Sequence, residues 1–135
     1  MPSERNYQAQ KQVVADSLVA HGWSAVSDRD MEITYGVATK DFETAAGIRT
    51  AIAYFEAPRE GRYPLTGEYL SEGRNVLSTM FIRIPVDASA EGLREAAEQF
   101  VREAEAVIEE TYAVRLARSA EEEAPARRKV AGPRM

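Results

Sequence analysis

Residues 93–114 read LREAAEQFVREAEAVIEETYAV, and this stretch decides the fold. At helical pitch its apolar side chains fall on one side and most charged ones on the other, which predicts an amphipathic helix. The apolar side comprises Leu93, Ala96, Ala97, Phe100, Ala104, Val107, Ile108, Thr111 and Val114. Just upstream, residues 76–84 alternate with a period of two, as a half-buried strand does. The chain therefore changes from sheet to a covering helix at Pro85–Ser89, which indicates an α+β fold.

The rest of the chain supplies a second helix and the other strands. Residues 3–21 predict an N-terminal helix with Tyr7, Val14, Leu18 and His21 on one side and Gly22 as its C-cap residue. The predicted strands are Trp23–Val26, Met31–Ala38, Ile48–Glu56, Leu65–Ser71 and Val76–Ile84. We expect an antiparallel meander sheet of four to five strands, in the order α-β-β-β-β-β-α, with both helices packed on one face.

Length and composition indicate one globular domain. A chain of 135 residues can bury a single core, and we place that domain over residues 1–119. Ala120–Met135 carries glutamate and arginine clusters with little to bury, so we expect a disordered charged tail. Lys40–Gly47 is expected to be a connection, and Glu72–Asn75 a hairpin turn.

Charge and residue usage exclude several classes. The net charge of −5 argues against bulk binding to DNA or anionic membranes. With no cysteine there is no disulfide, thiolate metal site or cysteine nucleophile. No apolar run has membrane-spanning length, so we expect a cytoplasmic protein without membrane contact.

Motifs for catalysis are missing from the sequence. His21 is the only histidine, and we expect it to pack at the end of its helix. Asp28, Asp30 and Glu32 alternate, but the glycine and distal glutamate of a calcium loop are absent, so they indicate a turn before a strand. Phosphate-loop and dinucleotide patterns are also absent. We therefore predict no catalytic residue, no metal and no cofactor, and an enzyme is not the expected class.

The second face of the sheet is the most informative candidate surface. We expect it to carry small residues, aromatics and two arginines: Thr34, Gly36, Arg49, Ala51, Ala53, Phe55, Leu77, Thr79, Phe81 and Arg83. Such a face is either an interface or, if one helix covers each side, part of the core. The loop Ala57–Pro64 is a second candidate, because exposed loops on a rigid sheet often carry recognition. The candidate partner-binding residues are Arg49, Phe55, Arg59, Arg62, Tyr63, Phe81 and Arg83.

Three classes of function follow from these features. The first is a non-catalytic protein-binding module, namely an adaptor, a chaperone-like protein or an inhibitor, acting on a partner protein or as a homodimer. An acidic inhibitor of a nucleic-acid-handling machine, such as a phage or mobile element encodes, belongs to this class. The second is a protein that binds single-stranded nucleic acid through the sheet face and the basic tail. The third is a ligand-binding protein or enzyme with a pocket near His21, Trp23 and Tyr35.

The element order over Ser3–Leu116 is similar to that of the small acidic chaperones of type III secretion. That resemblance implies a dimeric α/β protein that holds extended client segments. The order also resembles a cystatin-type helix and meander with an added helix. Fold likeness carries function poorly, so the sequence supports no family assignment.

Overall fold

The computed structural model of the protein describes residues 4–27, 29–30, 34–111, 114 and 117. It confirms the α+β order with an antiparallel five-stranded sheet. The elements are α1 (Glu4–Ala20), β1 (Ser24–Ala25), β2 (Gly36–Thr44), β3 (Gly47–Phe55), β4 (Arg62–Glu68), β5 (Leu70–Ser71), β6 (Arg74–Asn75), β7 (Phe81–Pro85) and α2 (Ala90–Glu109). The predicted tail at 120–135 lies outside the described residues.

The five strands form an antiparallel meander in the order β1-β2-β3-β4-β7, and β5 and β6 form a separate two-stranded ribbon. Both helices lie on one face of the meander. From α1, the Tyr7 ring stacks on Phe55 with 5.6 Å between ring centroids. From α2, Phe100 packs against Gly67 on the same face. The core is therefore a single layer of side chains between the sheet and the helix pair.

The amphipathic pattern of α2 is confirmed. Ser89 begins the helix, because its hydroxyl oxygen accepts a hydrogen bond of 3.1 Å from the Gly92 N–H. The buried side chains are Leu93, Ala97, Phe100, Ala104 and Ile108. Val107 is 41% exposed, so the buried stripe is narrower than the sequence predicted.

The N-terminal helix is confirmed over Glu4–Ala20, with Tyr7, Val14 and Leu18 buried. His21 is exposed, so the expectation that it packs is wrong. The helix ends at Ala20, and Gly22 takes a φ of 95° that turns the chain toward the buried Trp23. A left-handed glycine after a helix is a common stop, and here it leaves the preceding histidine in solvent.

The predicted strand Met31–Ala38 is displaced in the structure. Residues 31–33 and Asp28 are outside the described residues, and β2 starts at Gly36 and runs to Thr44. Lys40–Gly47 is therefore strand and tight turn, and the expected connection there is wrong. The Thr44 hydroxyl makes the turn, since it donates to the Gly47 carbonyl at 2.6 Å and accepts from the Ala46 N–H at 3.1 Å.

The predicted strand Val76–Ile84 is interrupted by a turn at residues 76–79, and β7 begins only at Phe81. The Asn75 side chain causes this. Its carboxamide oxygen accepts from the Tyr69 N–H at 2.9 Å and the Leu77 N–H at 3.0 Å, and its nitrogen donates to the Gly67 carbonyl at 3.2 Å. These bonds offer the backbone an alternative to the strand ladder.

Candidate functional site

The face of the sheet that points away from both helices, here called the outer face, is the candidate surface. Strand register places on one side the residues that alternate with the buried ones. They are Thr39, Asp41, Glu43, Ile48, Thr50, Ile52, Tyr54, Arg62, Pro64, Thr66, Glu68, Phe81 and Arg83. Ile48 is 66% exposed, Phe81 is 47% exposed, and Ile52 and Tyr54 are half-buried. The outer face therefore offers apolar and aromatic side chains to solvent.

The composition predicted for this face is wrong for β3. Ala51, Ala53 and Phe55 are buried against the helices, and Ile52 and Tyr54 point outward instead. The three buried residues belong to the same buried cluster as the rings of Tyr7, Trp23 and Phe100. A prediction from hydrophobicity alone therefore places Ile52 and Tyr54 on the face that the helices cover, and this is wrong.

Two further residues of the predicted face are displaced. Leu77 is buried, and its Cδ1 lies 2.9 Å from the position that a Cβ atom on Gly67 would occupy. Arg49 pairs with Phe42 across the strands, which places it on the helix-bearing side near Tyr69. Neither residue belongs to the outer face.

Tyr63 also belongs to the core. The residue is fully buried, and its hydroxyl donates to the Gln10 carboxamide oxygen. Next to it the Tyr7 hydroxyl donates to the Phe55 carbonyl, and Gln10 donates to the Val86 carbonyl at 3.0 Å. Burial raises the pKa of both tyrosines, because the charged phenolate is poorly solvated there. The expected partner-binding roles of Phe55 and Tyr63 therefore conflict with their burial in the free chain.

The other four candidates, Arg59, Arg62, Phe81 and Arg83, meet at one corner of the outer face. Together with Glu60 and Pro64 they line a cavity of about 590 Å³, here called the arginine corner. The Arg83 guanidinium carbon lies 5.4 Å from the centroid of the Phe81 ring, in cation–π contact. This convergence joins the predicted loop candidates to the predicted sheet candidates.

A tight turn positions the first two arginines. Glu60 and Gly61 both have positive φ, 51° and 77°, as in the type I′ turn that closes two-residue hairpins. Arg59 and Arg62 flank this turn and exchange backbone hydrogen bonds of 2.7 and 3.0 Å. Arg62 already belongs to β4, so Ala57–Pro64 is only partly a loop.

The arginines differ in their pairing. Arg59 forms a salt bridge of 3.2 Å with Glu56, whose other carboxylate oxygen accepts from the Thr66 hydroxyl at 2.9 Å. Within the described part of the chain, neither Arg62 nor Arg83 has a carboxylate partner. Two guanidinium groups thus remain available in a protein whose net charge is −5.

The opposite end of the outer face is acidic. Asp41 and Glu43 project from the end of β2, and Asp41 accepts a hydrogen bond of 2.7 Å from the Thr50 hydroxyl. Carboxylates therefore lie beside the β2–β3 turn and guanidinium groups beside β7, with Glu68 between them opposite Ile52.

The residues that the structure describes offer no cluster of metal ligands. They contain no group of three or more His, Cys, Asp or Glu side chains that could hold a metal ion. The groove that contains His21 lies between α1 and α2, whereas Trp23 packs on Phe100 in the core and Tyr35 is 51% exposed. Neither Trp23 nor Tyr35 lines the groove that contains His21. None of the described helices is long and apolar enough to cross a membrane.

No protein-family model, curated protein or solved structure matches this chain.

Sequence reasoning missed Ile52, Tyr54 and Pro64 on the outer face, and Lys11 in the core. Pro64 pairs with Arg83 and lines the arginine corner. Lys11 is 1% exposed, donates to the Thr34 carbonyl, and has its pKa lowered by burial. Its spacing from Tyr7, Val14 and Leu18 was a usable signal, since steps of four, three and four place all of them on one helix face.

Proposed function

We propose that the protein is a non-catalytic protein-binding module that recognises its partner through the outer face. The supporting observation is that Ile48 and Phe81 are exposed, and Ile52 and Tyr54 only half-buried, on a sheet face that points away from both helices. An antiparallel sheet with one solvated face ordinarily carries polar residues there. Clustered apolar residues rimmed by charges are instead typical of interaction surfaces.

The anatomy of the surface favours a protein partner. Ile52 and Tyr54 lie between the arginine corner and the acidic end, and Glu68 and Thr66 face them across the strands. The face therefore mixes apolar and polar groups, as non-obligate interfaces do. Arginine and aromatic residues are the types that dominate binding energy at such interfaces. Polarised charge on one face also steers a complementary partner and fixes its orientation.

Binding to single-stranded nucleic acid is the second candidate. The observation that favours it is the Phe81 ring in contact with Arg83, beside two more arginines, because bases stack on such groups. The acidic end of the same face and the net charge of −5 disfavour a long phosphate backbone across it.

Site-specific photo-crosslinking in native lysate tests the proposal. p-Benzoylphenylalanine replaces Tyr54 in one variant and the exposed Val107 of α2 in a matched control. We expect protein adducts from position 54 and none from position 107. An adduct between two copies of the chain would identify the partner as a second copy, which retains the proposed class.

Two outcomes would contradict the proposal. Adducts to nucleic acid from position 54 would transfer the function to the second candidate. Equal yields from positions 54 and 107 would show that the outer face has no preference for a protein partner.

A further inference from the structure

We propose that the arginine corner and the free edge of β7 together bind an acidic segment of a partner protein, which adds to the sheet as an extended strand. This inference rests on the proposed function and specifies the partner's chemistry. Two independent features carry it, namely the backbone groups along the edge and the guanidinium groups beside them.

The free edge of the sheet follows from strand order. β7 is the last strand of the sheet, and no strand pairs with its outer side in the described ranges of the chain. Pro64 faces Arg83 across the β4–β7 pair, and Pro85 faces Arg62. Since proline has no N–H, neither of these pairs can exchange two hydrogen bonds.

The ladder between β4 and β7 must therefore run through the alternate pairs, Tyr63 with Ile84 and Leu65 with Ile82. The Pro64 carbonyl confirms this alternation, because it points toward β3 and accepts a hydrogen bond of 2.9 Å from the Glu56 N–H there. It follows that the N–H and C=O groups of Phe81 and Arg83 point to the free edge. An incoming strand can therefore form backbone hydrogen bonds with these two residues.

Side chains supply the selectivity. Phe81 and Arg83 project from the same edge onto the outer face. In an added antiparallel strand, the residue opposite Arg83 has its Cβ about 5 Å away, within reach of a carboxylate–guanidinium contact. The residue two positions later on the partner lies opposite the Phe81 ring. The geometry thus favours an acidic residue followed, after one intervening position, by an apolar one.

The other two arginines strengthen this preference. Arg59 and Arg62 line the same cavity, and Glu60 is the one carboxylate that the described residues contribute to its lining. A guanidinium fork binds a carboxylate with two hydrogen bonds, so this corner suits acidic side chains better than amides or lysines.

A second copy of the chain fits this edge poorly. Antiparallel pairing of two β7 strands centred on the strand places the two Arg83 side chains opposite each other. Like charges directly across a strand pair are destabilising. The arginine at this short edge thus opposes self-pairing and favours an acidic partner.

The test uses the full chain and three labelled peptides in fluorescence anisotropy. The first peptide reads Gly-Thr-Glu-Thr-Leu-Thr-Gly. The second has lysine for glutamate, and the third has N-methyl groups on the amides that would face β7. At about 50 mM salt, where surface charges are weakly screened, we expect the acidic peptide to bind at least tenfold more tightly than the lysine peptide. We expect the N-methylated peptide to lose most of its affinity.

Variants and amide exchange locate the site. We expect Arg83→Gln and Arg62→Gln each to weaken the acidic peptide by about threefold to fivefold, as for partly exposed charge pairs. Arg102→Gln on the exposed side of α2 is the matched control and should change nothing. Hydrogen exchange should slow at the Phe81 and Arg83 amides when the peptide is added.

Three results would each overturn the inference. The lysine peptide could bind as tightly as the acidic peptide, or N-methylation could leave the affinity unchanged while the Phe81 and Arg83 amides stay unprotected. Single-stranded oligothymidylate could also bind more tightly than the acidic peptide, with the same dependence on the arginines. If the peptide fails but crosslinks from position 54 still capture a partner protein, this inference falls and the proposed function stands. If both fail, the outer face is not a recognition surface.

Discussion

Phe55 and Phe81 provide the most direct test of how the sheet is oriented. Both are phenylalanines of the same meander, and their sequence patterns assigned them to the same face. In the structure Phe55 is fully buried, with its ring centroid 5.6 Å from Tyr7 and 4.7 Å from Tyr63. Phe81 is 47% exposed and touches Arg83.

We expect Phe55→Ala to lower the free energy of unfolding by about 4 kcal/mol, because it removes a buried ring and leaves a cavity. Phe81→Ala should cost about 1 kcal/mol, roughly half of the transfer free energy of a phenylalanine side chain. With a urea m-value of about 2 kcal/mol/M, the midpoints should fall by about 2 M and about 0.5 M respectively.

The assay is urea unfolding followed by the fluorescence of Trp23, which is buried against Phe100. If Phe55→Ala does not fold, Phe55→Leu gives a graded substitution with an expected cost of about 1.5 kcal/mol. Equal losses at the two positions, or a larger loss at Phe81, would refute the assignment of the outer face.

Three further predictions concern stability. Gly67→Ala should cost about 1–3 kcal/mol in urea unfolding, since a Cβ there would lie 2.9 Å from Leu77 Cδ1 and 3.0 Å from Phe100 Cζ; an unchanged midpoint would contradict that packing. Asn75→Ala should cost about 2 kcal/mol in thermal melting, because three hydrogen bonds of its carboxamide are lost, and an unchanged melting temperature would count against the turn. The urea midpoint should fall as the pH rises above about 10. Burial raises the pKa of four tyrosines in the folded state, so the unfolded chain loses its phenol protons first and is favoured at high pH. A midpoint that stays flat or rises above about pH 10 would contradict this prediction.

Element types and their order could be read from the sequence because the helix patterns are long. The stripe through Leu93, Phe100 and Ile108 repeats over several turns, and Gly22 marks the end of α1. The shorter strand patterns gave wrong strand bounds at two turns. The Thr44 turn and the Asn75 turn depend on side-chain hydrogen bonds that a hydrophobic pattern does not record.

The orientation of β3 could not be predicted, because both of its faces are apolar. Ala51 and Ala53 are apolar like Ile52, so a hydrophobicity pattern does not distinguish the two faces. Only the packing of the helices against the sheet decides which face is buried. The arginine corner was predicted in part. Four of its six lining residues are predicted from two separate features, but their meeting depends on a register between β4 and β7 that no local pattern gives.

The central claim is that the outer face is open to solvent in a single copy of the chain. Hydroxyl-radical footprinting of the full chain, at concentrations where light scattering gives a monomer, measures this directly by side-chain oxidation rates. We expect Phe81 and Tyr54 to be oxidised several-fold faster than Phe55 and Tyr63, after correction for intrinsic reactivity. Equal protection of all four side chains in the monomer would show that the same chain covers its outer face, and the recognition surface would be lost.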